Sequence, residues 1–145
     1  MSQPKPQTFA NHTRFDPLYH FFTVPVFAIT WIVSIVMLVR HPCFLSAWGV
    51  VLATAAMIAV FKLRIYALRV QDRVIRLEER LRLATLLPES RRPGIARLTE
   101  DQLIGLRFAS DEEVAALVQL ALTENLSRAD IKKAIKNWRP DYWRV

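Results

Sequence analysis

The 145-residue sequence contains one cysteine, Cys43, and three glycines. A single cysteine cannot form an internal disulfide, so no covalent staple supports the fold. Proline falls mainly at borders: Pro17, Pro42, Pro88, Pro93 and Pro140. No segment alternates apolar and polar residues with period two over a useful length, which argues against half-buried strands and predicts an all-α protein. Catalytic equipment is missing as well. There is no nucleophile beside a base, no phosphate-cradling glycine loop and no pair of carboxylates in an apolar setting. These absences argue against an enzyme. Charge is missing from a long stretch: residues 18–61 hold no Asp or Glu and a single cation, Arg40.

What fills that stretch is apolar. Leu18–Val39 has no charged side chain and at 1.5 Å per residue spans about 33 Å, enough for a hydrocarbon core of about 30 Å. Asp16-Pro17 supplies a start, since Asp caps free N–H groups and Pro suits the first turn. Pro25 removes one backbone bond and predicts a mild kink near Phe21. Arg40-His41-Pro42-Cys43 breaks the helix, and a second span follows over Phe44–Phe61. Its small residues Gly49, Ala53, Ala56 and Ala59 permit close approach of the first span or of another subunit. The first apolar run is too long for a signal peptide, and a second span follows it closely. Cys43 lacks the small preceding residues that lipoprotein processing wants. The fold class is therefore an integral membrane helical hairpin, preceded by a tail over residues 1–17.

All but Lys5, Arg14 and Arg40 of the 20 basic residues lie after Phe61, and that part of the chain carries most of the net charge of +7. Basic residues favour the cytoplasmic side, which puts both termini there and the 40–43 loop outside. Lys62, Arg64 and Arg69 are the expected anchors to anionic headgroups.

Between Phe61 and Leu87 nothing breaks a helix. The second span is expected to continue about 40 Å beyond the membrane as a juxtamembrane helix over residues 62–87. Leu63, Ala67, Val70, Val74, Leu77, Leu81 and Ala84 repeat at alternating four and three, the spacing of a coiled-coil seam. Two readings compete for it: zipping to a second copy as a homodimer, or fold-back of the C-terminal helices. Arg73, Arg76 and Arg80 lie beyond the reach of lipid attraction, since Arg73 is already about 18 Å past Phe61 and screening acts within about 8 Å. With Asp72, Glu78 and Glu79 they are expected to form a hub that receives the acidic run Asp111-Glu112-Glu113.

Residues 88–145 read as a small helical domain. Glu89–Arg97 with Pro93-Gly94 is a connector. Thr99 with Gln102, Ser110 with Glu113, and Ser127 with Asp130 are capping pairs that open three short helices. The second and third are expected over Glu112–Glu124 and Arg128–Lys136. Leu103, Leu106, Phe108, Val114, Leu117, Val118, Ala121, Leu122, Leu126, Ile131 and Ile135 form the expected core, small enough to need docking onto the long helix. The aromatic tail carries Trp138, Tyr142 and Trp143. These side chains are candidates for packing on the domain or docking on a partner or the membrane interface.

Two other function classes have some footing. The second and third short helices have helix-turn-helix spacing, and Lys132, Lys133, Lys136 and Arg139 could meet phosphates. A solvated basic face explains them more simply, so a nucleic-acid partner is not expected. His12, Asp16 and His20 are spaced by four, as metal or haem ligands can be, but Pro17 interrupts that face. His20 suits the interfacial belt better, with Tyr19 and Phe21. No cofactor or metal is expected.

The run Asn11-His12-Thr13-Arg14-Phe15, residues Tyr66 to Arg82, Leu106-Arg107-Phe108-Ala109-Ser110-Asp111-Glu112-Glu113 and Trp138-Arg139-Pro140-Asp141-Tyr142 resemble a family of small bacterial two-span membrane proteins classed as a domain of unknown function. The resemblance covers nearly the whole chain. It implies a bacterial inner-membrane protein and carries over no catalytic residue. Together these readings predict a non-enzymatic, membrane-anchored interaction module or accessory subunit of a larger membrane complex.

Overall fold

A computed structural model describes residues 6–11 and 16–141. Its regular elements are helices; among the described residues the only extended pairing is an isolated antiparallel bridge between Ala109 and Trp138. The chain divides into two units, one over 15–69 and one combining 1–14 with 70–144.

The first unit is a helical hairpin. Asp16 Oδ1 accepts the Tyr19 N–H at 3.2 Å, satisfying one of the donors that a helix start leaves free. The entry Leu18–Thr23 is π-helical, with the Val24 N–H reaching back to the Tyr19 carbonyl. Widened turns of this kind accommodate a break in the i→i−4 ladder, and Pro25 follows immediately. The irregularity around Phe21 thus takes the form of a π segment. Helix α1 continues over Val24–Arg40 and helix α2 runs over Phe44–Leu86. At the break, Ser46 Oγ accepts the Cys43 N–H at 3.0 Å and lies 2.8 Å from the His41 carbonyl, closing the turn and starting α2.

The apolar side chains of this unit point outward. Phe21 is 74% exposed, Val39 77% and Phe44 83%. None of the most apolar window of the first helix is buried, and 11% of that of α2 is. A core helix of a water-soluble domain would be largely covered. The two helices are tied by Trp31, whose Nε1–H donates to Thr54 Oγ1 at 2.9 Å, and by Arg64, whose guanidinium lies 5.4 Å from the Tyr19 ring centre. Of the small residues expected to ease close approach, Ala53 is buried and Ala56 half-buried, whereas Ala59 is exposed and Gly49 faces open space.

The second unit is built on the outer half of α2. After Pro88 the chain forms a 3-10 helix over Glu89–Arg97, where a plain connector was expected. Arg92 Nε donates to the Leu87 carbonyl at 3.3 Å and so satisfies one acceptor at the end of α2. Helices α3 (Glu100–Leu106), α4 (Val114–Thr123) and α5 (Arg128–Ala134) follow. Thr99 and Gln102 form a complete capping box, and Ser127 Oγ accepts the Asp130 N–H at 3.2 Å. The middle helix starts differently from the expectation. Ser110 does not cap it through its hydroxyl; instead the Ser110 carbonyl accepts the Val114 N–H at 3.1 Å. Asn125 takes a left-handed conformation, φ 48°, and the Leu126 N–H closes α4 on the Ala121 carbonyl at 3.2 Å.

The core of this unit comprises Leu103, Leu106, Phe108, Val114, Leu117, Val118, Ala121, Ile131 and Ile135, with Leu122 and Leu126 packed at its edge. Leu83 of α2 and Leu87 just after it join the core, each almost wholly buried. A domain this small cannot bury enough apolar surface by itself, and the long helix supplies the missing wall. Gly105 lets α3 approach α5: a Cβ there would lie 3.3 Å from the Arg128 carbonyl and from Ile131.

Candidate functional site

Written as heptads, α2 places Ala67, Val74 and Leu81 at a, and Leu63, Val70, Leu77 and Ala84 at d. Ile75, Glu79 and Leu83 then fall at b, f and c, on the opposite side of the helix. The C-terminal helices cover that opposite side. Ile75, Glu79, Leu83 and Leu87 are buried, while every a and d residue named is exposed. Fold-back therefore occurs, but on a different face from the seam, because Ile75, Leu83 and Leu87 recur there at helical spacing around the Arg82-paired Glu79.

Arg82 organises the contact. Its Nη1 donates to both oxygens of Glu79, at 2.9 and 3.2 Å. Nε donates to Asp111 Oδ1 at 2.8 Å, and Nη2 to the Ala109 carbonyl at 2.7 Å. The planar fork of a guanidinium can serve three such partners at once, which an ammonium cannot. Of the expected hub residues, Arg76 pairs with Glu100 at the start of α3, while Arg73 and Arg80 are exposed. The acidic run divides its labour. Asp111 goes to Arg82. Glu113 crosses to the residues after α5, accepting the backbone N–H groups of Lys136 and Asn137 at 3.1 and 3.0 Å. This clamp and two further backbone bonds, Ser110 N–H to the Asn137 carbonyl at 3.0 Å and Arg139 N–H to the Phe108 carbonyl at 2.7 Å, hold the strip 136–139 against 108–113.

The strip lays Trp138 on Phe108, ring centres 5.1 Å apart. Tyr142, Trp143 and His12 lie outside the described residues. Phe108 also receives two cations: the Arg107 guanidinium at 4.5 Å and Lys132 Nζ at 5.2 Å from its centre. Lys132 is thus buried. Lys133 is exposed beside Asp130, and Lys136 and Arg139 follow the end of α5. The four basic residues expected near the third short helix do not form a common face. Gln7 pairs in both directions with the backbone of Asp141, at 2.9 and 3.1 Å, so the segment ahead of the hairpin joins the C-terminal unit.

A cavity of about 670 Å³ lies beside this contact and reaches the edge of the seam, lined by Val74, Glu78, Glu79, Arg82, Arg139 and Asp141 among others. Its charges are mixed, and Arg107 Nε lies 3.4 Å from Asp141 Oδ2. Among the described residues no group of three or more His, Cys, Asp and Glu side chains is placed to hold a metal. His20 Nδ1 lies 2.8 Å from the Asp16 carbonyl within its own helical turn. Lys62 and Arg69 are exposed, and Arg64 is half-buried against Tyr19.

Burial pushes the Glu79 carboxyl above its ordinary value, and Arg82 opposes the shift. Between the unfolded and the raised folded value the native state binds more protons. That contribution to stability is complete below the ordinary value near 4.5 and is lost as pH rises through the raised one. The parent should therefore lose stability relative to Glu79→Gln as pH rises through this window. Urea midpoints of the C-terminal unit, read by pulse proteolysis in detergent, check it; the opposite slope would contradict the assignment.

Fold and site together define a class: an all-helical protein with, among the described residues, two helices long and apolar enough to cross a membrane, and a small helical domain clamped to one face of the second. Within that class the chain belongs to the Family of unknown function (DUF6526), whose sequence model matches residues 1–145. No curated protein and no solved structure matches it.

Proposed function

We propose that this protein is a two-span component of the bacterial cytoplasmic membrane and acts there as a non-enzymatic interaction module, an accessory subunit that presents a fixed helical surface beside the bilayer. The observation that carries the reading is the open seam. The C-terminal helices hold one face of α2 and, among the described residues, leave a row of apolar side chains on the other exposed. Contiguous exposed apolar surface rimmed by charge marks a protein contact.

The membrane half of the reading rests on the unburied apolar side chains of the hairpin, which lipid would cover. The pairing of Gln7 with Asp141 supports an even number of spans, because it joins the segment before the first span to the domain after the second. The excess of Lys and Arg on these segments favours the cytoplasmic side. Lys62, Arg64 and Arg69 then meet anionic headgroups.

Two measurements test the two halves. An impermeant maleimide applied from outside should label Cys43, which is exposed, and should miss Glu124→Cys in a Cys43→Ser background. The reverse pattern would sink the orientation. Photo-crosslinkers placed at Val74 and Leu77 in native membranes should give protein adducts, whereas the same groups at Arg91 and Glu124 should not. Absence of adducts from the seam would remove the interaction module.

A further inference from the structure

Building on the reading of α2 as an interaction surface, we propose that the occupant of its open face is a second copy of the same helix, parallel and in register. The heptad pattern of Val70–Ala84 and its flanking charges select this partner. Val74 at a and Leu77 at d are the combination that favours two-stranded coils. Val70, Leu77 and Leu81 are each more than 60% exposed and Val74 is 49% exposed, so among the described residues the row is open to a partner.

Charge fixes the direction. Arg73 and Arg80 occupy g positions, and Gln71, Glu78 and Thr85 occupy e positions. In a parallel pair each g faces the e position five residues on in the other helix. Arg73 then meets Glu78 of the second copy, twice by symmetry, and Arg80 meets the neutral Thr85. An antiparallel pair sets g against g and brings arginine to arginine, which repels. The membrane reading adds the same preference, because two copies of one topology send α2 out of the bilayer in the same direction.

The C-terminal unit leaves room for this arrangement. Its bonded and buried contacts on α2 use Ile75, Arg76, Glu79, Arg82 and Leu83, at b, c and f, with Leu87 just past the helix and the residues 139–141 bordering the e side at Gln71 and Glu78, so in a two-stranded coil the bulk of each domain stays on the outside. Arg73 and Glu78 are exposed at the edges of the seam, where such pairs form. Five a and d positions are few for a coil in dilute solution. Confinement of both chains to one membrane raises their effective concentration and offsets the short length.

The test uses the full-length protein in membranes, with Cys43→Ser as background. Val70→Cys and Leu77→Cys should form disulfide-linked dimers on mild oxidation, while Arg69→Cys and Leu86→Cys, on the far side, should not. In the Leu77→Cys chain, Arg73→Glu or Glu78→Arg alone should lower the dimer yield about fivefold, and the two together should restore it. Failure of the double change to restore the yield overturns the parallel register. A photo-adduct at Leu77 whose mass is that of another protein overturns the second copy but leaves the interaction surface standing. No adduct of any kind overturns both.

Discussion

Arg82→Ala is expected to release the C-terminal helices from α2, at a cost of about 3–5 kcal/mol, the range for breaking a buried ion pair by removing one partner. The guanidinium serves Glu79, Asp111 and the Ala109 carbonyl together. Its loss strands a buried carboxylate and a carbonyl at once. Glu79 is 3% exposed, so its carboxylate loses a charged donor in a setting largely shielded from bulk water. Pulse proteolysis across a urea series, read on residues 98–137, measures the change. Arg82→Lys should recover only part of it, because an ammonium keeps the charge but not the fork. A loss below about 1 kcal/mol for the alanine variant, the level of an exposed surface pair, would show that Arg82 does not hold the contact.

The second large effect is expected from Phe108→Ala, also about 3–5 kcal/mol, as for other buried aromatic truncations. Phe108 is fully buried at the centre of the core. It touches Trp138 from the 136–139 strip and lies under the cationic groups of Arg107 and Lys132. Truncation leaves a cavity and takes the aromatic face away from two buried cations. The strip should loosen with it, since Trp138 loses the ring it packs on while only the backbone bonds of the strip remain. Tryptophan fluorescence of a variant retaining only Trp138 would report this as a shift to longer wavelength. By contrast, Leu77→Ala on the open seam should change the stability of an isolated chain by no more than about 0.5 kcal/mol. Equal losses at Phe108 and Leu77 would contradict the division of α2 into a covered and an open face.

Much of this was legible in the residues. The two apolar helices follow from an uncharged stretch long enough to read without ambiguity. Thr99 with Gln102 and Ser127 with Asp130 mark helix starts because each pair closes on backbone only three residues away. The core residues of α3, α4 and α5 follow from their spacing. The face of α2 used for fold-back was not legible, for a physical reason. Val70, Val74, Leu77 and Leu81 form one row, but Ile75, Glu79, Leu83 and Leu87 form a second at helical spacing. Periodicity alone does not say which row the chain covers itself. Nor does charge separate Arg82 from Arg76 and Arg80. What singles out Arg82 is the Ala109 carbonyl, a backbone group with no signature in the sequence. Glu113 was hidden in the same way, since its partners are the N–H groups of Lys136 and Asn137.

The central claim is that α2 beyond Arg69 has one face closed by its own C-terminal helices and one face open. The most direct measurement is the rate of thiol labelling at single cysteines along residues 70–87, in a Cys43→Ser background, in detergent diluted until the chain is monomeric. The account predicts fast labelling at 70, 74, 77 and 81 and slow labelling at 75, 79, 83 and 87. Slow labelling of the first set with fast labelling of the second would contradict it.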